Sequence, residues 1–357
     1  MSIYWSRAIR EIVPYTPGEQ PQNKNLIKLN TNENPYPPSQ KVLSAMHEAI
    51  SGDLRLYPDP DCNKVRAAAS NLYGIPCDHI FVGNGSDEIL AFCFKAFFDP
   101  NDVIAFPEIT YSFYEVYAKL FNLKCNKIPL TDNFDFEINC FLGLNQGIVL
   151  ANPNAPTGKL LSIEEIEKIV KNNPSNIVII DEAYIDFGGK TAIELIKKYG
   201  NLLIIQTFSK FRSLAGLRIG LAFGHADLIE GLNKVKNSFN SYTIDRIALA
   251  GAEQSLIDNE HCLRNAEKII QTRDKISKRL KNMGFYVVDS NANFIFMSHP
   301  RIEAKRIFNE LKSRGIIVRY FEKPKIDNYL RVSIGTDDEM DIFINQIHEI
   351  LSTTSTS

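Results

Sequence analysis

The stretch LLIIQTFSKFRSLAGLRIG, residues 202–220, predicts a central strand that ends at a reactive amine. Its four leading apolar residues favour a buried strand, which stops at Thr207, Ser209 and Lys210. Arg218 follows eight residues after the lysine. Two hydroxyls and a planar cation suit a phosphate and leave the lysine amine free to bond a carbonyl carbon. The ordinary alternative is a surface turn that carries two salt-bridging cations.

Composition places the chain among ordinary globular proteins and excludes several classes of partner. The 357 residues are 44% hydrophobic and 23% charged, enough for a large core in two lobes. Lys and Arg number 40 against 42 Asp and Glu and form no basic block, so we expect neither nucleic acid nor an anionic membrane as partner. No window of 18 apolar residues predicts a membrane span, and the N-terminus lacks the apolar region of a secretory signal.

Cysteines and histidines predict the compartment and argue against a metal. The six cysteines show no CxxC pairing, which is typical of reduced thiols in a cytoplasmic protein. The six histidines form no HExxH or HxH cluster, so we expect no metal site.

Short apolar runs alternate with helical segments over the first two thirds of the chain. The predicted strands are 80–82, 103–106, 148–151, 177–180 and 202–205, and the predicted helices are 40–51, 61–73, 86–98, 110–122, 162–172 and 191–199. Such alternation predicts an α/β fold whose mostly parallel sheet lies between helices.

After about residue 240 the pattern changes to that of a small α+β domain. The predicted elements are helices 243–257, 259–282, 301–314 and 337–351 and strands 285–288, 293–297, 316–319 and 329–334. We therefore predict an N-terminal arm, 1–38, that packs near the small domain, a large domain, 39–245, and a small C-terminal domain, 246–351. The tail 352–357, STTSTS, is predicted to be disordered.

Three further polar segments follow predicted strands, where ligands bind in such sheets. The amides of Ser86 and Asp87 begin a helix and offer an anion site. Asn154 can donate to an oxyanion. Asp181 ends an apolar strand, where a lone carboxylate needs a partner such as a protonated pyridine nitrogen, and Tyr184 can reach a phenolic oxygen. Taken singly, Ser86 and Asp181 are also explained as helix caps and the Asn154 segment as a proline-rich loop.

Together the four segments point to one cofactor, pyridoxal 5′-phosphate (PLP). PLP presents a phosphate, an aldehyde, a pyridine nitrogen and a phenolic oxygen, and an Asp beside the nitrogen keeps the ring an electron sink.

Eight stretches of the chain resemble fold-type I PLP enzymes, the aspartate aminotransferase superfamily, and within it the histidinol-phosphate aminotransferases. They are LNTNENPYPPS (29–39), LYPDP (56–60), GNGSDEI (83–89), PEITYSFY (107–114), NPNAPTG (152–158), DEAYIDF (181–187), TFSKFRSLAGLRIG (207–220) and YLRVSIGT (329–336). The resemblance spans nearly the whole chain, and the order of the motifs is specific. It implies a glutamate-dependent aminotransferase that acts on a small phosphorylated amino alcohol.

The resemblance also implies a role for each matching residue. Lys210 would bond the cofactor aldehyde and move a proton, Asp181 would pair with the pyridine nitrogen, and Tyr184 with Asn154 would bond the phenolic oxygen. Further cofactor contacts are implied for Tyr111, which would stack on the ring, and for the phosphate ligands Ser86, Asp87, Thr207, Ser209 and Arg218. Tyr57 would reach the phosphate in the neighbouring subunit, which implies a homodimer with shared active sites.

Substrate contacts are implied for a second group of residues. Arg331 would grip the α-carboxylate of glutamate, and Tyr15, Asn32 and Arg319 would line the substrate side together with Asn154.

Two segments depart from the family pattern and leave the substrate open. Phe211-Arg212-Ser213 follows the lysine where a small residue and an aromatic are more common, and Asn240-Ser241-Tyr242 replaces an FNVN-type ending. A related aminotransferase for another phosphorylated ketone, such as dihydroxyacetone phosphate converted to serinol phosphate, is one alternative. A PLP-dependent decarboxylase of a phosphorylated amino acid is another. A ligand-sensing domain of a transcription regulator is a third, against which the intact Lys210 argues.

Overall fold

The computed structural model describes residues 3–20 and 26–354. Within them, the strands are β1 (Ile27–Lys28), β2 (Ile80–Gly83), β3 (Val103–Pro107), β4 (Lys124–Ile128), β5 (Gly147–Ala151), β6 (Val178–Asp181), β7 (Leu202–Thr207), β8 (Gly220–Gly224), β9 (Tyr286–Val288), β10 (Phe294–Ser298), β11 (Ile316–Ile317), β12 (Arg319–Tyr320) and β13 (Leu330–Ser333). The α-helices are α1 (Arg7–Glu11), α2 (Gln40–Glu48), α3 (Asn63–Tyr73), α4 (Gly85–Ala96), α5 (Phe113–Leu120), α6 (Ile163–Lys171), α7 (Ala226–Phe239), α8 (Arg246–Ile257), α9 (Asn259–Asn282), α10 (Ala304–Ser313) and α11 (Asp337–Thr354).

A seven-stranded sheet forms the centre of the fold, in the order β2-β8-β7-β6-β5-β3-β4. Strand β8 runs antiparallel to both of its neighbours, β2 and β7, and the other pairings are parallel. The mostly parallel sheet predicted from the alternation is therefore confirmed. Its parallel strands direct their carboxyl ends to one edge of the sheet.

Helices cover both faces of this sheet, and its middle strands carry consecutive apolar residues toward both of them. Along β7, Leu202 and Ile204 pack into the core on one face, whereas Leu203 and Ile205 pack into the core on the other. All four side chains are fully buried. Runs without polar alternation are what parallel strands between two helical layers require.

A second, antiparallel sheet follows the long helices α8 and α9. Its order is β12-β13-β10-β9, and it packs with α9, α10 and α11 around a separate apolar core. In its register, Arg319 of β12 lies opposite Arg331 of β13. The short parallel pair β1 and β11 attaches the segment after the N-terminal arm to this part of the fold.

Several predicted elements differ from the observed ones. The helix predicted at 191–199 is only a short 3₁₀ turn, Ile193–Lys197, because Thr191 and the amide of Ala192 are tied to the carboxylate of Glu182. The single strand predicted at 316–319 is split between two sheets, β11 and β12. Strands β4 and β8 and helices α1 and α7 were not among the predicted elements.

The prediction of a disordered tail from residue 352 is wrong for its first residues. Helix α11 continues to Thr354, because the hydroxyls of Ser352 and Thr353 donate to the carbonyls of His348, Glu349 and Ile350 in its last turns. Residues 355–357, like residues 1–2 and 21–25 of the predicted arm, lie outside the described residues.

Candidate active site

The carboxyl ends of β2, β3, β5, β6 and β7 and the second sheet enclose a cavity of about 680 Å³. Thirteen of the predicted site residues line it: Tyr15, Asn32, Ser86, Asp87, Tyr111, Asp181, Tyr184, Thr207, Ser209, Lys210, Arg218, Arg319 and Arg331. The parallel topology explains why the residues from the main sheet converge, since their segments meet at the same edge, while Tyr15, Asn32, Arg319 and Arg331 come from the N-terminal region and the second sheet.

Lys210 lies three residues past the end of β7, and its amine is held in the cavity. Its Nζ donates a 2.8 Å hydrogen bond to the carbonyl of Thr31 and lies 5.9 Å from the ring centre of Tyr184. Burial, and secondly the charge of Arg331, lower the pKa of Lys210 to about 8. A substantial fraction of the amine is therefore neutral and nucleophilic near physiological pH.

A compact anion cradle lies at one end of the cavity. Arg218 donates to the hydroxyl of Ser209 at 3.3 Å and to the carboxylate of Asp87 at 3.2 Å, and the amide of Ser209 donates to the hydroxyl of Thr207. Gly85, with φ of +78°, begins α4, and a Cβ at this position would lie 2.8 Å from Nη2 of Arg218. The amides at the start of α4, two hydroxyls and a guanidinium thus face one small space, as a phosphate requires.

Asp181 ends β6 as a buried carboxylate. It accepts hydrogen bonds from the hydroxyl of Tyr114 at 3.0 Å and from the amide of Ala183 at 3.2 Å. Burial raises the pKa of Asp181 to about 6 against the lowering effect of the Tyr114 bond. No cation pairs with this carboxylate in the described part of the chain, so a protonated ring nitrogen is a suitable partner.

Aromatic side chains form two walls of the cavity. The hydroxyl of Tyr184 accepts a 3.0 Å hydrogen bond from the amide of Asn32, and burial raises the pKa of Tyr184. The hydroxyl of Tyr111 donates to Asp87 at 2.8 Å, which fixes its ring. Tyr15, from the N-terminal arm, stacks on Phe113 with ring centres 4.4 Å apart and meets Tyr111 edge-on.

Two arginines occupy the end of the cavity that belongs to the antiparallel sheet. Arg331 donates to the carbonyl of Asn30 at 2.9 Å, while its buried Nε has no hydrogen-bond partner within the described residues. Arg319 donates to the carbonyls of Thr16 and Pro17 in the arm. Both guanidinium groups lie near the ring of Phe321, at 5.6 and 5.7 Å from its centre.

Two predicted cofactor residues do not line this cavity. Asn154 is fully buried, and its amide group already bonds the carbonyl of Ile109 and the hydroxyls of Thr110 and Thr157. Tyr57 is 77% exposed and stacks on Tyr242 with ring centres 4.5 Å apart. The roles of both residues stay predictions.

Sequence analysis missed four residues that shape the site. Tyr114 binds Asp181, and Thr31 accepts from the lysine amine. Asn34 donates to the carbonyls of Lys210 and Phe211 and holds the backbone of the lysine loop. These three residues lie within the sequence motifs quoted above, so the motifs could have identified them as site residues. Phe321 lies outside them, and no local pattern marks it.

The side chains fit PLP at the three positions that the sequence predicted. The cradle around Arg218 suits its phosphate, the Lys210 amine with its lowered pKa suits its aldehyde, and the carboxylate of Asp181, which no cation pairs, suits its ring nitrogen. A search of residues 3–20 and 26–354 finds no cluster of His, Cys, Asp and Glu that would hold a metal ion. Nor does that part of the chain contain a helix long and apolar enough to span a membrane.

Comparison with known proteins agrees with this geometry. The family model described as aminotransferase class I and II matches residues 24–347. Histidinol-phosphate aminotransferases of Clostridium beijerinckii and Brachyspira hyodysenteriae are each 53% identical over 352 residues, covering 99% and 98% of this chain and 98% and 99% of those proteins. The structure of histidinol-phosphate aminotransferase from Sinorhizobium meliloti in complex with pyridoxal-5′-phosphate shares the fold, with a TM-score of 0.90, 22% identity and 99% coverage of both chains. The chain therefore belongs to the class I and II aminotransferase family.

Proposed function

We propose that this protein is a PLP-dependent aminotransferase that moves an amino group between glutamate and 2-oxoglutarate on one side and histidinol phosphate and imidazole-acetol phosphate on the other. The observation that carries this proposal is a cavity with an anion site at each end and the amine of Lys210 between them. The names of the full-length relatives at 53% identity support the same substrate pair.

PLP, when bound, supplies an electron sink that stabilises negative charge on the α carbon of the amino substrate. The cradle of Arg218, Ser209 and Thr207 would anchor its phosphate. Asp181 would keep a proton on the ring nitrogen, and the Tyr184 hydroxyl would orient the ring through its phenolic oxygen. Nζ of Lys210, with a pKa of about 8, would accept and return the proton of the α carbon.

The two arginines opposite each other would bind the acidic groups of the substrates. Arg331, with its unpartnered buried Nε, suits a carboxylate held by two parallel hydrogen bonds. Arg319 and Tyr15 lie on the same side and suit the phosphate of the second substrate. The full-length relatives do not favour the alternative ketone or the decarboxylase.

The proposal includes a cytoplasmic homodimer. Support for the dimer is indirect: Tyr57 is an exposed aromatic residue that lies outside its own cavity. The domain division at residues 38, 245 and 351 also belongs to the proposal.

A half-reaction screen tests the substrate. The protein is converted to its aminated form with glutamate, freed of glutamate, and mixed with imidazole-acetol phosphate, dihydroxyacetone phosphate or 2-oxo acids. Return of the visible absorbance should be fastest with imidazole-acetol phosphate. The first step should yield one 2-oxoglutarate per site and no carbon dioxide. Release of carbon dioxide from a phosphorylated amino acid, without formation of 2-oxoglutarate from glutamate, would mean a decarboxylase. A faster reaction with dihydroxyacetone phosphate would mean the alternative ketone.

A further inference from the structure

Lys323, in the loop between β12 and β13, lines the same cavity as the two arginines. Its side chain is half-buried, and burial lowers its pKa, with the charge of Lys127 as the second cause. A buried ammonium costs free energy unless a negative partner compensates it. Lys323 was not among the residues that the sequence motifs singled out.

The carboxylates near Lys323 are already paired with other lysines. Glu115 binds Lys127 at 2.9 Å and Lys119 at 3.3 Å, and Glu108 binds Lys325 at 2.6 Å. The ammonium of Lys323 itself makes no hydrogen bond or ion pair within residues 3–20 and 26–354. It is therefore a cation on the cavity wall that forms no direct pair with a carboxylate in this part of the chain.

The loop that carries Lys323 is fixed on both sides. Lys325 ties it to Glu108, at the end of β3, and the side chain of Ile326 is buried in the main core. Phe321 precedes it and lies near both Arg319 and Arg331. The position of Lys323 on the wall is thus set by the fold, as a side chain that recognises a ligand requires.

Charge distinguishes the possible ligands of this wall. Arg331 suits the α-carboxylate of glutamate, which histidinol phosphate lacks, and Arg319 and Lys323 are two further cations that line the same cavity. A phosphate monoester carries close to two negative charges at neutral pH, whereas the side-chain carboxylate of glutamate carries one. Two cations that line one cavity and form no ion pair with a carboxylate within the described residues match the dianion better.

We propose that Lys323 is a specificity-determining residue that binds the phosphate of the phosphorylated substrate together with Arg319. This inference rests on the proposed function, since it names a further contact for the same substrate. Through this contact, Lys323 would allow the enzyme to distinguish a phosphate monoester from a carboxylate or a hydroxyl.

The test compares Lys323→Met with Lys41→Met, a control that removes the same charge from an exposed lysine on α2. Lys323→Met should raise the KM for histidinol phosphate by about 10- to 100-fold, the loss expected for one hydrogen bond to a charged group. Its kcat should change less than threefold, as should the glutamate half-reaction and the reaction with unphosphorylated histidinol. Lys323→Arg should restore most of the affinity, and Lys41→Met should stay within about threefold of wild type.

Competition by inorganic phosphate separates this inference from the proposed function. In the glutamate half-reaction of the holoenzyme, phosphate should inhibit the wild type, and its inhibition constant should rise in Lys323→Met but not in Lys41→Met. An inhibition constant that does not change, or an equal loss for glutamate and histidinol phosphate, would overturn the role of Lys323. The wild type could also fail to use histidinol phosphate while phosphate inhibition still depends on Lys323. That result would contradict the proposed substrate but support the contact between Lys323 and an anion.

Discussion

Arg319 and Arg331 lie directly opposite each other on the antiparallel strands β12 and β13, and neither forms an ion pair with a carboxylate in the described part of the chain. Like charges directly opposite in a sheet destabilise it. The ring of Phe321 lies near both guanidinium groups and offsets part of this cost. The remaining repulsion between the two arginines is best explained by acidic ligands that bind here. We therefore expect Arg319 and Arg331 to lower the free energy of unfolding when no substrate is present.

The first prediction follows from the two arginines. Arg319→Met should raise the thermal midpoint of the substrate-free holoenzyme slightly, because one of two repelling charges is removed. The same variant should weaken binding of histidinol phosphate by about 10- to 100-fold, as expected for a lost charged hydrogen bond. Calorimetry and steady-state kinetics measure the two effects. A lower midpoint together with unchanged affinity would contradict a ligand-binding role for Arg319.

The second prediction concerns Lys210 as the residue that bonds PLP. Lys210→Ala should lose the visible absorbance of lysine-bound PLP and all multiple turnover, because the amine at the centre of the cavity is gone. Lys41→Ala, which removes an exposed lysine on α2, is the control and should behave as wild type. Sustained turnover by Lys210→Ala would rule out the assignment.

The third prediction uses the pKa of Lys210. Only the neutral amine attacks the aldehyde, so capture of PLP by the apoprotein should accelerate with pH around a midpoint near 8. Arg331→Met should move that midpoint upward, because the charge of Arg331 disfavours the protonated lysine. Arg331→Lys retains the charge and should keep the midpoint. Stopped-flow absorbance measures the rate, and identical midpoints in all three proteins would show that Arg331 has no such influence.

The fourth prediction concerns Asp181. Asp181→Asn should still bind PLP but turn over at least about a hundredfold more slowly, which corresponds to about 3 kcal/mol of lost charge-assisted interaction. The pKa of Asp181 is about 6 in the folded protein, above its ordinary value of 3.8. Ionisation of this buried carboxylate therefore lowers the free energy of unfolding of the apoprotein above pH 6. The apo variant should therefore be more stable than apo wild type at pH 8, and this advantage should disappear as the pH falls towards 3.8. Near-normal turnover would contradict this role and would mean that Asp181 only caps the turn that follows β6.

Some features of the site follow from the sequence and others do not, for physical reasons. The positions of Asp181, Thr207 and Lys210 were predictable, because an apolar run followed by polar residues marks a strand end locally. The contact between Tyr114 and Asp181 was not, since it depends on β3 and β6 lying on either side of β5. The same limit applies to the pairing of Arg319 with Arg331, which depends on strand register.

Other differences arise where a few side chains override the local pattern. Thr191 and Ala192 are tied to Glu182, which shortens a predicted helix to a 3₁₀ turn. Strand β4 has charged residues at its exposed positions and lies at the sheet edge, so its apolar pattern is weak. The fold class and the family are nevertheless confirmed, because neither depends on these elements.

The last prediction concerns Tyr57 and the predicted dimer. Tyr57 is 77% exposed, stacks on Tyr242 and lies outside the cavity of its own chain. Its backbone is held in place, because Arg246 of α8 donates to the carbonyls of Leu56 and Tyr57. A fixed, exposed aromatic hydroxyl is suited to reach a phosphate in a second copy of the chain. Tyr57→Phe should then weaken PLP binding by about tenfold to a hundredfold, the effect of one hydrogen bond to a charged group.

Mixing two inactive variants tests whether the site is shared. Lys210→Ala is combined with a Tyr57 variant that is impaired enough to be inactive alone, under conditions that exchange subunits. If Tyr57 serves the partner, each heterodimer has one site with both defects and one with neither, so that up to about half of the wild-type activity returns. If Tyr57 serves its own chain, each site keeps one defect and nothing returns. Tyr242→Phe is the control for the stacked pair and should retain PLP as wild type does. Failure to recover activity, with exchange verified by mass spectrometry of tagged subunits, would leave Tyr57 as a surface residue packed on Tyr242.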